Sequence, residues 1–295
     1  MGKCWASLCS ALTLINEFEH NVRSANFLES HLSSANEESD EPSVSPIDRD
    51  YVIALEKGLA IIEAFGQLRG SATLTQIAEV TGNTKASVRR SLHTLCKLGY
   101  AQQAGRQFQL AARTLRLGSA FVVSDELTRL AQPILEMTAE RTKESASMAV
   151  LDAQDVVFVA RATHRRSLSV GLSAGARLPA YASATGRVLL AGQPKDWALF
   201  ILNRMRRPAL TAKTITQVTD LMGQIELVKH QGYALCDQEL ELGLRSIAVP
   251  VKNRQDQTIA AISLSVATSR MDIPTLLDKL LPELEAAKQK FSALI

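Results

Sequence analysis

The chain has 295 residues, 46% of them hydrophobic, and carries 33 Lys/Arg against 30 Asp/Glu, a formal net charge of +3. That length suits a small domain joined to a larger one, and the apolar runs fall far short of a membrane span. Its four cysteines lack paired metal-ligand spacing, which points away from a zinc module or disulfide scaffold and towards a reduced, cytoplasmic protein with no metal and no cofactor.

The small net charge conceals an asymmetry. Residues 1–50 hold three basic and nine acidic side chains, residues 51–123 hold nine basic and three acidic, and the remainder is net +3. At the N-terminus, Met1 to Ile15 carries only Lys3 and a short broken apolar run, with no secretion signal. An amphipathic helix through Leu12, Ile15, Phe18 and Val22 is one option within Met1 to His31. Ser33 to Pro46 is polar, acidic and Pro-containing. Residues 1–48 are expected to be a disordered extension without an essential role.

Tyr51 to Leu68 places Val52, Leu55, Leu59, Ile62 and Phe65 at spacings of three and four, a helix able to back a small three-helix unit. Leu74 to Tyr100 then reads as two short helices. Gln76 to Val80 supplies an apolar edge, Thr81-Gly82-Asn83 breaks it, and Thr84 is placed to cap the next helix. That second helix aligns Val88, Leu92 and Leu95 on one face. Its other positions are Lys85, Ser87, Arg89, Arg90, Ser91, His93, Thr94 and Lys97. The pattern is that of a helix-turn-helix, whose second helix enters the major groove of DNA. Tyr100 to Leu110 forms two short runs around Ala104-Gly105-Arg106, a hairpin wing with Arg106 near its tip and Tyr100, Phe108 and Leu110 turned inward. An ordinary surface helix pair is the plainer alternative; the flanking helix, the wing and the localised positive charge argue against it. Such charge suits a phosphate backbone and its condensed counterions.

Ala112 to Val123 is helical in pattern and joins the halves, with Leu115, Leu117, Phe121 and Val122 available to a second copy. From Glu126 the pattern is mixed. Helices are expected at 127–142, 184–191, 215–231 and 276–294, and strands at 146–151, 156–160, 168–172, 247–251 and 259–267. Antiparallel strands with helices on one side give an α+β domain.

Three separated stretches carry a family resemblance. Leu55-Glu56-Lys57-Gly58-Leu59 with Leu98-Gly99-Tyr100, Leu178 to Ala191, and Glu241 to Val251 followed by Ala260 to Ser265 resemble, in order, the motifs of the IclR transcriptional regulators. The resemblance runs over roughly residues 51 to 290. It implies a winged helix-turn-helix DNA-binding domain over 49–111, a linker helix over 112–125 and a GAF-like effector-binding domain over 126–295. It also implies a homodimer or dimer of dimers on double-stranded operator DNA with paired half-sites. Thr84, Lys85, Ser87, Arg89, Arg90, His93 and Arg106 are the expected DNA contacts. Carried over residue by residue, the resemblance puts Ala184, Thr185, Cys236, Ser246, Ser263 and Ser265 against a small carboxylate effector.

The residues add their own reasons. Ser183-Ala184-Thr185-Gly186 opens a helix whose free N–H groups suit a carboxylate, and Arg187 could add a charged fork. Ser263 and Ser265, two apart on a strand, face one side. Cys236 stands where family members that bind small keto acids have an acidic residue, which argues against that ligand type. The Gly186 to Ala191 and Gly243 to Pro250 variants most resemble regulators of protocatechuate, 4-hydroxybenzoate and β-ketoadipate catabolism, implying an aromatic or dicarboxylic acid effector. A competing reading, a small-molecule enzyme, would use His164, His230, Cys236, Asp237 and Glu239, but no spacing ties these into a metal pair or nucleophile turn. A partner-binding adaptor without DNA activity sits poorly with the basic segment.

Overall fold

The computed structural model describes residues 50–68, 70–164 and 173–294; the strand expected at 168–172 and the extension over 1–48 lie outside these described residues.

The winged unit begins with α1 (Ile53–Gln67) and continues through β1 (Ala72–Thr73), α2 (Leu74–Thr81), α3 (Lys85–Lys97), β2 (Ala101–Ala104) and β3 (Gln107–Leu110). Thr73 closes a capping box with Gln76: its hydroxyl accepts from the Gln76 N–H while Gln76 Oε1 accepts from the Thr73 N–H. The helix α2 ends at Gly82, whose φ of +65° lets the chain reverse into α3 where a Cβ would be strained. Thr84 caps α3 as expected, accepting from the Ser87 N–H. Val88, Leu92 and Leu95 are buried together with Ile61, Phe65, Ile77 and Phe108. The expected α1 face is only partly right. Phe65 is buried and Ile62 partly so, but Val52, Leu55 and Leu59 remain exposed, while Ile61 and Ala64, on a rotated stripe, do the packing. The strand β1, which the sequence reading lacked, adds antiparallel to β3, so the wing is a three-stranded sheet ordered β1-β3-β2.

A short 3-10 turn (Ala112–Thr114) leads into α4 (Leu115–Ser124), which buries none of its side chains. Asp125 ends α4 and caps α5 (Glu126–Thr142), accepting from the Thr128 N–H at 2.8 Å. The C-terminal domain adds β4 (Ser145–Asp152), β5 (Asp155–Ala162), β6 (Arg177–Pro179), α6 (Ala184–Ala191), α7 (Lys195–Arg204), α8 (Val218–Gln231), β7 (Ala234–Asp237), β8 (Leu244–Lys252), β9 (Thr258–Ala267) and α9 (Ile273–Ser292). The strands form one antiparallel sheet ordered β6-β5-β4-β9-β8-β7.

Helices cover both faces of this sheet, correcting the expectation of one-sided cover. Met148, Ile262, Leu264 and Val249 pack with Leu135 of α5 and Leu280 and Leu284 of α9. Ala149, Phe158, Ala248 and Ala261 pack with Leu190 of α6, Leu202 of α7 and Ile225 of α8. Successive strand residues point to opposite faces, and β8 and β9 are apolar at both sets of positions, so neither face can be left to water. The helix α7 and strands β6 and β7 are too short or too weakly periodic to stand out in the sequence.

Candidate functional site

On the winged unit, Lys85, Arg89, Arg90, His93, Lys97 and Thr84 are exposed. Lys85, Arg89, His93 and Lys97 follow at intervals of four, and α3 contains no acidic residue. Lys85 and Arg89, like charges four residues apart, cost an isolated helix about a few tenths of a kcal/mol. A polyanion removes that cost, since its phosphates interleave with the cations. Arg106 is exposed in the two-residue turn between β2 and β3. Ser87 departs from the expected set. It is only 8% exposed and lies on the packed side of α3, so its contribution is the backbone N–H that meets Thr84. Arg113 stacks over the Tyr100 ring at 5.5 Å and braces the base of the wing.

In the C-terminal domain, register brings the predicted residues together. Cys236 lies opposite Ser246, Ser246 opposite Ser265, and Ser265 opposite Ser145, so one polar row crosses β7, β8, β9 and β4. A neighbouring row runs from Ala248 through Ser263 and Ser147 to Arg161 on β5. Cys236, Ala248 and Ala184 belong to the core on the α6 side, which fixes the face these rows occupy. Facing them, α6 starts at Ser183, whose hydroxyl accepts from the Gly186 N–H at 3.1 Å. Ala184 and Thr185 follow, both buried. A Cβ on Gly186 would lie 2.1 Å from the Ala180 carbonyl oxygen, so only glycine lets α6 seat against the preceding turn.

Arg187 does not offer a free fork. It is 1% exposed, and its two Nη groups hold both carboxylate oxygens of Glu239, Nη1 to Oε1 at 2.8 Å and Nη2 to Oε2. The Ile215 N–H also donates to Glu239 Oε2, at 3.3 Å. Burial opposes the Arg187 charge, but Cys236 and Glu239 beside it raise its pKa overall. Burial pushes the Cys236 thiol up to about 12, against the pull of Arg187. A thiol so protonated is a poor nucleophile at neutral pH. Among the described residues no cluster of three or more His, Cys, Asp or Glu could hold a metal ion, and no helix is long and apolar enough to cross a membrane.

The sequence reading missed Ser145, Ser147, Arg161 and the role of Glu239. Their place in the site depends on strand register or on a contact across 52 residues of chain, as for Arg187 and Glu239. Alternation alone could have flagged Ser145 and Ser147 as companions on one strand.

Two family models match the chain, the IclR helix-turn-helix domain over residues 54–105 and the C-terminal domain of bacterial transcriptional regulator IclR over residues 119–293. The chain is 41% identical over 243 residues to the Pca regulon regulatory protein of Pseudomonas putida, covering 82% of this chain and 84% of that one. It is 37% identical to the p-hydroxybenzoate hydroxylase transcriptional activator of Acinetobacter baylyi, covering 83% and 93%. Among solved structures, a transcriptional regulator from Rhodococcus sp. RHA1 is 39% identical with a TM-score of 0.73, covering 82% of this chain and 98% of that one. The inducer-binding domain of PobR from Acinetobacter, a double mutant in complex with 3-hydroxybenzoic acid, is 33% identical with a TM-score of 0.55, covering 58% of this chain and all of that one. These relatives are regulators rather than enzymes, and the chain belongs to the IclR family of bacterial transcriptional regulators.

Proposed function

We propose that this chain controls genes of aromatic-acid catabolism by binding operator DNA through α3 and the wing and an aromatic or dicarboxylic acid in the C-terminal domain. The boundaries that serve this reading are residues 49–111 for DNA binding, 112–125 for the linker and 126–295 for the effector. The observation that carries it is the pair of polar rows facing the first turn of α6, in a chain whose relatives regulate the Pca regulon and p-hydroxybenzoate hydroxylase. Thr84, Lys85, Arg89, Arg90, His93 and Arg106 meet DNA; Ala184, Thr185, Cys236, Ser246, Ser263 and Ser265 line the effector seat, with Arg187 as a brace held by Glu239.

The protein acts as a dimer or dimer of dimers, so that paired winged units read paired half-sites. The helix α4 supports this, being largely apolar with Leu115 and Val123 respectively 75% and 73% exposed. A second copy is the partner that would cover such a helix and place two recognition helices in register. Effector binding then shifts the spacing of the winged units, a coupling of about 1–3 kcal/mol being enough to matter.

The test is retention of the chain's own upstream intergenic DNA, with and without protocatechuate, 4-hydroxybenzoate or β-ketoadipate, at two salt concentrations. The expected result is specific retention that one of the acids changes, accompanied by thermal stabilisation of the protein by that acid. Specific retention indifferent to all three would discard the effector class.

A further inference from the structure

The hydroxyl of Ser145 is buried without a partner. The residue is 1% exposed, and its Oγ makes no hydrogen bond among the described residues. Such a hydroxyl has left water with nothing in return, which points to a partner supplied from outside the chain. Its direction is fixed by the strand. Ser145, Ser147 and Ala149 alternate with Ala146 and Met148, and the pairing of β4 with β9 is regular from Ser145 opposite Ser265 to Ala149 opposite Ala261. Ala149 belongs to the core beneath α6, whereas Ala146 and Met148 belong to the core of the other face, so Ser145 points to the α6 side. The helix α6 packs there on β4, β8 and β9. Along its row, Ser145 is followed by Ser265, Ser246 and the protonated Cys236 thiol, none of them charged. At the first turn of α6, by contrast, the N–H groups of Ala184 and Thr185 precede any intrahelical acceptor, and the positive end of the helix dipole lies with them. The face thus offers one place to an anion and another to a neutral polar group.

We propose that the Ser145 hydroxyl contacts the effector directly and selects an acid that carries a second, uncharged polar group, a ring hydroxyl or a chain ketone. This rests on the functional reading above and deepens it, by naming the part of the ligand that this residue reads. The carboxylate takes the first turn of α6, and the second polar group takes Ser145. A serine hydroxyl suits either kind of group, since it donates to a ketone and both donates to and accepts from a phenol. An acid lacking that group leaves the Ser145 hydroxyl unpartnered in the complex, and the site discriminates against it on that account. In the unliganded protein the hydroxyl holds nothing, so Ser145 serves binding and not folding.

The experiment is calorimetric titration of the full-length wild-type and Ser145→Ala chains with 4-hydroxybenzoate, protocatechuate and β-ketoadipate. Each acid that the wild type binds is paired with the analogue lacking the hydroxyl or ketone, benzoate or adipate, and displacement of the bound acid reads analogues too weak for direct titration. The melting midpoint without ligand is measured for both chains and for Ser183→Ala. Loss of one hydrogen bond implies that Ser145→Ala weakens the substituted acid about five- to tenfold and leaves its analogue within about twofold. The unliganded midpoint of Ser145→Ala should be unchanged or raised, because no bond is lost there, whereas Ser183→Ala strands the Gly186 N–H and should lower it. No loss of affinity, or equal losses for acid and analogue, would overturn the Ser145 assignment alone. So would a fall in midpoint as large as that of Ser183→Ala, which would make Ser145 a residue of the fold. A wild type that binds none of the three acids would overturn the effector reading and the Ser145 assignment with it.

Discussion

In the winged unit the charged side chains of α3 stand in water, and the residues beneath them, Val88, Leu92 and Leu95, do the packing. In the C-terminal domain the chemistry is turned inward: Arg187 and Glu239 are both almost wholly buried, and Ser145, Ser147, Ser263 and Thr185 lie within the fold. The first region can exchange its polar residues with little effect on stability, because water replaces whatever is lost. The second cannot, because its polar groups are desolvated and removing a partner there leaves a buried group unpaired. Binding function and folding are therefore separable in one half of the molecule and entangled in the other, and substitutions should sort accordingly.

The comparison is tested most severely at Gly186. An alanine there brings a Cβ against the backbone of Ala180, which has no rotamer to escape by. Gly186→Ala should cost on the order of 4 kcal/mol in denaturant unfolding of the C-terminal domain, or prevent its folding. A loss below about 1 kcal/mol would mean that α6 can shift freely and that its first turn is not a fixed part of the effector seat.

Next comes the buried pair. Glu239→Gln leaves the Arg187 charge uncompensated and should destabilise by about 3 kcal/mol. The double variant Arg187→Met with Glu239→Leu removes both charges and should recover much of that, giving a strong coupling in a double-mutant cycle. Additive losses would instead make the pair an incidental contact. Both residues were present in the sequence reading, but in different roles, Arg187 as a ligand fork and Glu239 as a candidate for catalysis. Nothing local distinguishes an arginine that faces a ligand from one that faces a glutamate far along the chain.

The same contrast explains what was legible. The winged unit is made of neighbours in sequence, so caps, helical spacing and the turn glycine announced it, and Lys85, Arg89 and Arg90 are exposed as expected. Its lapses, the rotated face of α1 and the inward Ser87, come from helix rotation, which short apolar stripes define loosely. In the C-terminal domain the long strands β8 and β9 and the helix α6 were readable one by one. Their order in the sheet, and thus the meeting of Ser145, Ser265, Ser246 and Cys236, depends on register between distant segments. No single stretch of sequence encodes that.

A middle-sized effect is expected where the winged unit does its work. Arg90→Ala should leave the stability within about 0.5 kcal/mol of the parent, since the side chain is exposed. It should weaken specific operator binding by about 1–3 kcal/mol, and non-specific DNA binding by less. Equal losses on operator and random DNA would make Arg90 a phosphate contact. A loss of stability as large as the loss of binding would break the separation between the two functions claimed for this half.

The smallest effects give the closest comparison, because the chemistry is held constant. Thr84 and Ser183 each cap a helix by accepting one backbone N–H, that of Ser87 and that of Gly186. Thr84 is exposed and Ser183 is buried. When Thr84 becomes alanine, water reaches the freed N–H, and the cost should be about 0.5–1 kcal/mol. When Ser183 becomes alanine, the Gly186 N–H is stranded in the interior, and the cost should approach about 2 kcal/mol. Denaturant unfolding of the two variants measures both. Equal costs would mean that water enters the first turn of α6 as easily as that of α3. The effector seat would then be wet, and a bound acid would have to displace that water rather than satisfy bare donors.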